Sequence, residues 1–335
     1  MLFRNEAEIL ENAASDSLRK LRRDALDILS VAVKAVEPGE AIRRLLKVEG
    51  RILKVGDINL DLDGFSKIHV IGGGKAGGSM ASVIESILGD RISGGIVNVL
   101  KGTESLHDLK RIRLNGASHP IPGENGVRGV KQMISLLDRA GEDELFLVLI
   151  SGGGSSLMPL PSENVSLGEI RSLNERLLLS GATINELNTV RKHLSSIKGG
   201  LMAKKAYPAT IVSLILSDVV GDPLDTIASG PTAPDNTTFK DAVEVLKGRG
   251  LWDDASPSIR RRLVSGMKGE IEENPKLGDP VFVRVNNVLV GSNLTASLAA
   301  VEKAEELGYN SMLLSTMLEG EAKEAGPVLA RIAKE

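Results

Sequence analysis

The 335-residue chain is 42% hydrophobic and 25% charged, with a formal net charge of −3 and no cysteine. This balance is ordinary for a globular protein; it excludes disulfides, thiolate metal sites and cysteine nucleophiles, and no segment is basic enough to imply a nucleic-acid partner. No apolar run approaches the roughly 20 residues that span a bilayer, and the opening MLFRNEAEILENAA is acidic rather than signal-like, so a cytoplasmic protein without membrane contact is expected. The length favours two α/β domains. Aromatic residues are 2% of the chain, which makes ligand binding on aromatic stacking platforms a poor expectation.

In chain order, residues 1–48 read as helices, with apolar residues at three- and four-residue spacing interrupted at Pro38-Gly39. Residues 68–71 (IHVI) form a short strand that ends in Gly72-Gly73-Gly74-Lys75, followed by a helix to Leu88. A second strand is expected at 94–100. The loop Ser118-His119-Pro120-Ile121-Pro122-Gly123 precedes a helix from Val127 to Arg139. A third strand, 145–150 (LFLVLI), runs into Ser151-Gly152-Gly153-Gly154-Ser155-Ser156. Helices near 167–180 and 183–206 follow, then a fourth strand ending at Asp218. These strands are apolar along their whole length, as a parallel sheet covered on both faces requires. The βαβαβ order implies a doubly wound, mostly parallel, Rossmann-like sheet in an N-terminal domain over 1–235. Residues 236–282 read as a connector. The βα pattern restarts at 283–293, and a further strand is expected at 310–316 before a last helix. Residues 283–335 thus read as a second, incomplete α/β domain, too small to stand alone.

Strand tips of a parallel sheet deliver ligands to the N-termini of the following helices. Three tips here are unusual: Gly72–Gly77, Ser151–Ser156 and Ser217–Pro223. Glycine triplets bring backbone close to an anion. Gly72, Gly74 and Gly77 match G-x-G-x-x-G, but the second strand ends Leu100-Lys101-Gly102 without the acid that would hold a dinucleotide ribose. Walker A is absent as well, since alanine follows Gly74-Lys75 and His69 stands where its first glycine belongs. Lys75 opposes the helix dipole in a first turn; it either faces an anionic ligand or extends into solvent. Asn188, Arg191, Ser195 and Lys198 recur at helical spacing, giving either a carboxylate-binding face or a solvated one. Asp218 and Asp222 flank a turn, where they either cap it or hold Mg²⁺ through phosphates and water. His69, His107, His119 and His193 lack metal-ligand spacing; His69 reads as core, and His119 either lines the site or packs. No G-x-S-x-G elbow is present.

Gly72-Gly73-Gly74-Lys75-Ala76, Ser118-His119-Pro120, Ser151–Ser156, Asn188 through Arg191-Lys192-His193, Leu216 through Asp222, and Ser229-Gly230-Pro231-Thr232 together resemble the class II glycerate kinases. These are built from a MOFRL-associated N-terminal domain and a MOFRL C-terminal domain, and some carry the older label hydroxypyruvate reductase. The resemblance covers nearly the whole chain. It implies phosphorylation of D-glycerate at its 2-hydroxyl with ATP and Mg²⁺, in a cleft between two domains, with Lys75 in the active site and Ser151–Ser156 lining it. Such proteins continue with a G-G-R-N-Q-E-like segment that is absent after Glu321. A second domain cut short at its C-terminal end is therefore expected, and an isolated chain that is inactive if the segment is needed. The other assignments come from loop chemistry. Ser151, Gly153, Gly154, Ser155, Ser156, Asn188, Arg191 and Lys198 are placed against the acceptor; Gly73, Gly74, Ser217, Gly230, Thr232 and Asn293 against the nucleotide. Asp218 is placed as base, and Asp218 with Asp222 at the metal. A monomer or homodimer is expected. The rivals are an NAD(P)H-dependent hydroxypyruvate reductase and a sugar-phosphate-binding module without catalysis.

Overall fold

The computed structural model describes residues 2–334. Three helices open it: α1 (Glu6–Glu11), α2 (Asp16–Ala35) and α3 (Pro38–Leu45). The Ser15 hydroxyl caps α2 by accepting the Leu18 N–H, and Pro38 sits in the first turn of α3, where a missing N–H costs nothing. Residues 46–48, expected at the end of the helical segment, and residues 49–61, for which no element was predicted, form an antiparallel meander: β1 (Leu46–Glu49), β2 (Ile52–Val55) and β3 (Ile58–Asp61). Gly50 and Gly56 make its turns with positive φ, a conformation glycine adopts freely.

The main sheet contains β4 (Lys67–Gly73), β5 (Gly94–Leu100), β6 (Ile112–Ala117), β7 (Glu144–Ile150), β8 (Thr210–Leu216) and β9 (Val285–Gly291). Their spatial order is β6-β5-β4-β7-β8-β9, and every neighbouring pair is parallel. The connecting helices include α4 (Gly77–Leu88), α5 (Glu124–Leu137), the single turn α6 (Gly154–Leu157), α7 (Leu167–Leu179), α8 (Ile184–His193) and α9 (Leu201–Ala206). β7 is buried at every position. Leu145, Leu147 and Leu149 join one core with α3, α4 and the meander; Phe146, Val148 and Ile150 join the other with α5 and α9. A strand that must satisfy two cores has no polar face, which is why its sequence carries no alternation.

Four expectations are corrected. First, the strand expected to open a second sheet, β9, is the edge strand of the main one, where it pairs with β8. Second, residues 310–316 form no strand and leave the outer edge of β9 unpaired; apolar content alone does not make a strand, which needs its backbone groups paired with a neighbour. Third, residues 236–282 are more than a connector. They carry α10 (Phe239–Gly248) and α11 (Pro257–Met267), whose apolar faces join α7 and α8 in a third core around Phe239 and Leu263. Fourth, the helix expected over 183–206 is broken. α8 ends at His193, and Gly199 and Gly200, both with positive φ, turn the chain before α9. After β9 come α12 (Asn293–Glu306) and α13 (Ala322–Ile332), with α12 packed along α2. Among the described residues no helix is long and apolar enough to cross a membrane.

Candidate functional site

The strand order reverses direction between β4 and β7, and in an open parallel sheet ligands gather in the crevice at that switch. β4 ends there in glycine, β7 runs through Ser151 into Gly152-Gly153-Gly154, and the glycines at the β4 tip are sterically required. A side chain at Gly72 would run into the Leu149 backbone, and one at Gly74 into Ser151. Because these tips have no side chains between them, they interlock. The Lys75 N–H donates to Gly152 O (2.9 Å), and the Ala76 N–H donates to Ser151 Oγ (3.1 Å). A Cβ built on Gly153 would consequently stand 3.2 Å from Lys75 Cε and 2.8 Å from the His119 ring. Asp218, at the tip of β8, lies so close over Gly152 that a Cβ there would collide with its carboxylate. The three glycine-associated tips predicted from sequence therefore converge, and Lys75 sits among them.

Two cavities flank the Ser151–Ser156 turn. One is a strand-tip cleft of about 520 Å³ lined by Lys75, Ser151, Gly152, Ser217, Asp218 and Asn293, with apolar Val36 and Leu216 at its side. The N-terminal ends of α4 and α12 border it at Ala76 and Asn293. Helix N-termini carry free N–H groups and partial positive charge, so they favour anions. Asn293 Nδ2 donates to Thr316 O at 2.8 Å, tying the segment after α12 to this rim. Asp218 is the one carboxylate lining the cleft, and among the described residues no three His, Asp or Glu side chains cluster to cage a metal. A single carboxylate fits Mg²⁺, which keeps most of its waters and takes its remaining ligands from substrate phosphates.

The second cavity is a chamber of about 450 Å³ whose lining includes Ser155, Ser156, Arg191, Ser195 and Lys198. Lys198 Nζ donates to Ser155 O (2.9 Å) and Oγ (2.8 Å). Ser155 Oγ lies 3.1 Å from Ser229 Oγ, which donates to Asn188 Oδ1 at 2.9 Å. Ala228 and Ser229 are held at φ of 52° and 63°. Left-handed backbone at such residues is strained, and it persists only where the surroundings impose it; here it sets the Ser229 hydroxyl against Ser155. Arg191 Nε donates to Asn174 Oδ1 at 3.1 Å. Among the described residues neither Arg191 nor Lys198 has a carboxylate within 4.0 Å. Burial, with the Arg191 charge adding to it, holds the Lys198 amine down to about 7, and burial lowers Arg191 to about 10.

The predicted residues are thus sorted by the fold. Lys75, Ser151, Ser217, Asp218 and Asn293 share the cleft, while Ser155, Ser156, Arg191 and Lys198 share the chamber. Gly73, Gly153 and Gly154 build the interlock between them. Asn188 is buried behind Ser229 with its Nδ2 unpartnered. The helical-face argument for residues 188–198 needs correcting, because α8 stops at His193; the following turn, not a helix, brings Ser195 and Lys198 to Arg191. Gly230 packs on the Asp225 backbone. Thr232 is buried, accepting from Ser213 and donating to Asn287 Oδ1, so it bridges β8 and β9 and lines neither cavity. Asp222 sits in the turn beyond Asp218 with φ 54° and outside the cleft lining. His69 is core, stacked on Phe146. Lys192 forms a buried pair with Asp235 (2.9 Å) and reaches Asp225 (3.3 Å). Sequence reasoning missed Arg171 and Asn174, and quoted Ser229 in a motif without giving it a role. The first two share a face of α7 with Glu175 and Leu178 at three- and four-residue spacing, a pattern that was legible. Ser229 lies 74 residues from its partner Ser155, and no local pattern reports that contact.

Residues 24–264 match the model of a domain of unknown function, DUF4147. A glycerate 2-kinase of Pyrococcus horikoshii is 41% identical over 94% of this chain and 69% of its own length. The crystal structure of a glycerate kinase from Thermotoga maritima superposes with a TM-score of 0.80 at 36% identity, covering 94% of this chain and 70% of that one. A putative hydroxypyruvate reductase of Agrobacterium vitis is 42% identical over 79% of this chain and 58% of its own length.

Proposed function

The chain belongs to the glycerate 2-kinase family, and from that premise we propose that it transfers the γ-phosphoryl group of ATP to the 2-hydroxyl of D-glycerate, giving 2-phosphoglycerate and ADP. The observation that carries this reading is the packing of the Lys75 stem against Gly153 with the Asp218 carboxylate over Gly152. One cation and one carboxylate are thereby fixed against a glycine turn that separates a cleft from a chamber, and both line the cleft.

Phosphoryl transfer asks a protein mainly to position reactants and stabilise charge. In this reading the tips at Gly73, Gly74, Ser217 and Asn293 face the nucleotide phosphates, and the N-terminal ends of α4 and α12 favour that negative charge. Lys75 offsets the charge that grows on the transferred group. Arg191 and Lys198, with the hydroxyls of Ser155 and Ser156, receive the glycerate carboxylate from the other side of the turn. Arg191 can grip it with two parallel N–H groups. Asp218 orients the acceptor hydroxyl and receives its proton as the new O–P bond forms and the bond to the β-phosphate oxygen breaks. Asp218, with phosphate oxygens and water, would hold Mg²⁺, which would supply charge neutralisation. Gly230 and Thr232 act on this site through the turn that carries Ser229. The segment after β9, tied to the cleft rim by Asn293 and Thr316, supplies the cleft's second wall.

Incubation of the purified chain with ATP, Mg²⁺ and D-glycerate, followed by ³¹P NMR of the product, tests the proposal. It predicts the resonance of 2-phosphoglycerate. NADH oxidation by hydroxypyruvate without ATP would replace it with the reductase reading, which gains nothing from the carboxylate-free end of β5 at Leu100-Lys101. Ligand-induced thermal stabilisation without turnover would indicate a binding module.

A further inference from the structure

The chamber is built for more than glycerate. Its floor carries Arg191 and Lys198, both short of a protein carboxylate, and Ser155 offers a hydroxyl beside them. Unpaired buried cations are costly, and an anionic ligand offsets that cost. The walls are more apolar: Leu160, Leu167, Ile170 and Leu178 line about 450 Å³ together with the prolines of two loops, interrupted on α7 by Arg171, Asn174 and Glu175. Glycerate has a hydroxymethyl substituent and no hydrocarbon to bury, and a handful of atoms cannot fill that volume. Leu178 and Leu179 stay at the chamber rim although they are 60% and 82% exposed. A hydrophilic acceptor gives those apolar side chains nothing to contact.

We propose that this chamber binds 2-hydroxy carboxylates bearing an apolar substituent, the carboxylate on Arg191 and Lys198 and the hydrocarbon against the wall of α7, so that the acceptor class extends beyond glycerate. The binding claim stands on the chamber itself; the acceptor claim rests on the kinase reading above. Charge on the floor selects the carboxylate, the Ser151–Ser156 turn sets the hydroxyl beside the transfer site, and the apolar wall adds affinity with each buried carbon. Burying one methylene tightens binding by about fourfold.

Isothermal titration of the chain with D-lactate, D-2-hydroxybutanoate, D-2-hydroxypentanoate and D-2-hydroxy-4-methylpentanoate tests it. The dissociation constant is expected to fall about threefold to fourfold per added carbon until the wall is reached. Ile170→Trp fills the wall and flattens that series. Leu179→Asp, at an exposed position where folding is insensitive to charge, also reduces its slope. A flat series in the wild-type chain, or a slope unchanged in both variants, overturns the proposal. Offering the same acids with ATP and Mg²⁺ separates the two readings. A rising affinity series without any phosphorylated product ends the kinase reading and leaves the binding site standing; phosphorylated glycerate with a flat series does the reverse.

Discussion

The chamber floor makes anion binding depend on a proton. Lys198 donates to Ser155 O and Oγ, both neutral acceptors, and it is buried, with 6% of its surface exposed. Burial, and then the Arg191 charge, lower its amine from an ordinary 10.5 to about 7. A carboxylate arriving beside it favours the ammonium form, so binding takes up a proton wherever the free protein has lost one. If only the charged amine receives the anion, the apparent dissociation constant of D-glycerate rises about tenfold per pH unit above 7, reaching roughly a hundredfold at pH 9. The same shift bears on folding. The folded value lies below the unfolded one, so between about 7 and 10.5 the unfolded chain binds a proton that the folded chain does not. Stability therefore rises with pH through that window, and the full penalty, on the order of 5 kcal/mol, applies below pH 7. Titration of D-glycerate at pH 6 to 9, in two buffers of different ionisation heat, measures affinity and proton uptake together. Lys198→Met should flatten the pH profile and abolish the uptake above pH 7. An affinity independent of pH in the wild-type chain, or an unchanged profile in the variant, would refute the reasoning.

Three further perturbations probe the frame of the site. Gly152→Ala places a methyl against the mobile end of Asp218, so the fold should survive while turnover falls about a hundredfold; a melting temperature within a few degrees of wild type and a steady-state assay check both parts. Gly72→Ala meets backbone instead, in the β4–β7 ladder and at φ 133°. It should lose more than about 3 kcal/mol in urea unfolding, and a loss below 1 kcal/mol would show that the tip can relax. Asp235→Ala leaves the buried Lys192 amine with only the Asp225 contact at 3.3 Å, and should cost about 3–5 kcal/mol by the same measurement.

The two central strands were readable because their chemistry is simple. β4 and β7 are buried almost throughout, so their sequences are unbroken apolar runs, and the glycines at their tips mark where backbone meets backbone. β6 escaped notice because an edge strand is half exposed and its sequence, IRLNGA, is correspondingly mixed. The meander was missed although Gly50 and Gly56 punctuate it, because its strands are four residues long, about the length at which periodicity carries no signal. Residues 310–316 misled in the other direction. Apolar content suggests a strand, but the run leaves the outer edge of β9 unpaired, and strand pairing is a property of the whole sheet rather than of local composition. In the site, the types and rough locations of Lys75, Asp218, Arg191 and Lys198 were legible from loop chemistry. Their division between two cavities was not, because it depends on where α8 stops and on a strained turn at 228–230 that reaches Ser155 from far along the chain.

In the proposed reaction the Lys75 amine meets three strand tips and offsets the charge on the transferred phosphoryl group. Rapid-quench measurement of a single turnover with Lys75→Met, under saturating ATP, Mg²⁺ and D-glycerate, isolates that contribution from binding. A fall of about a hundredfold to a thousandfold, with the circular dichroism and melting temperature of the wild-type chain, is the predicted result. A rate within threefold of wild type would contradict it.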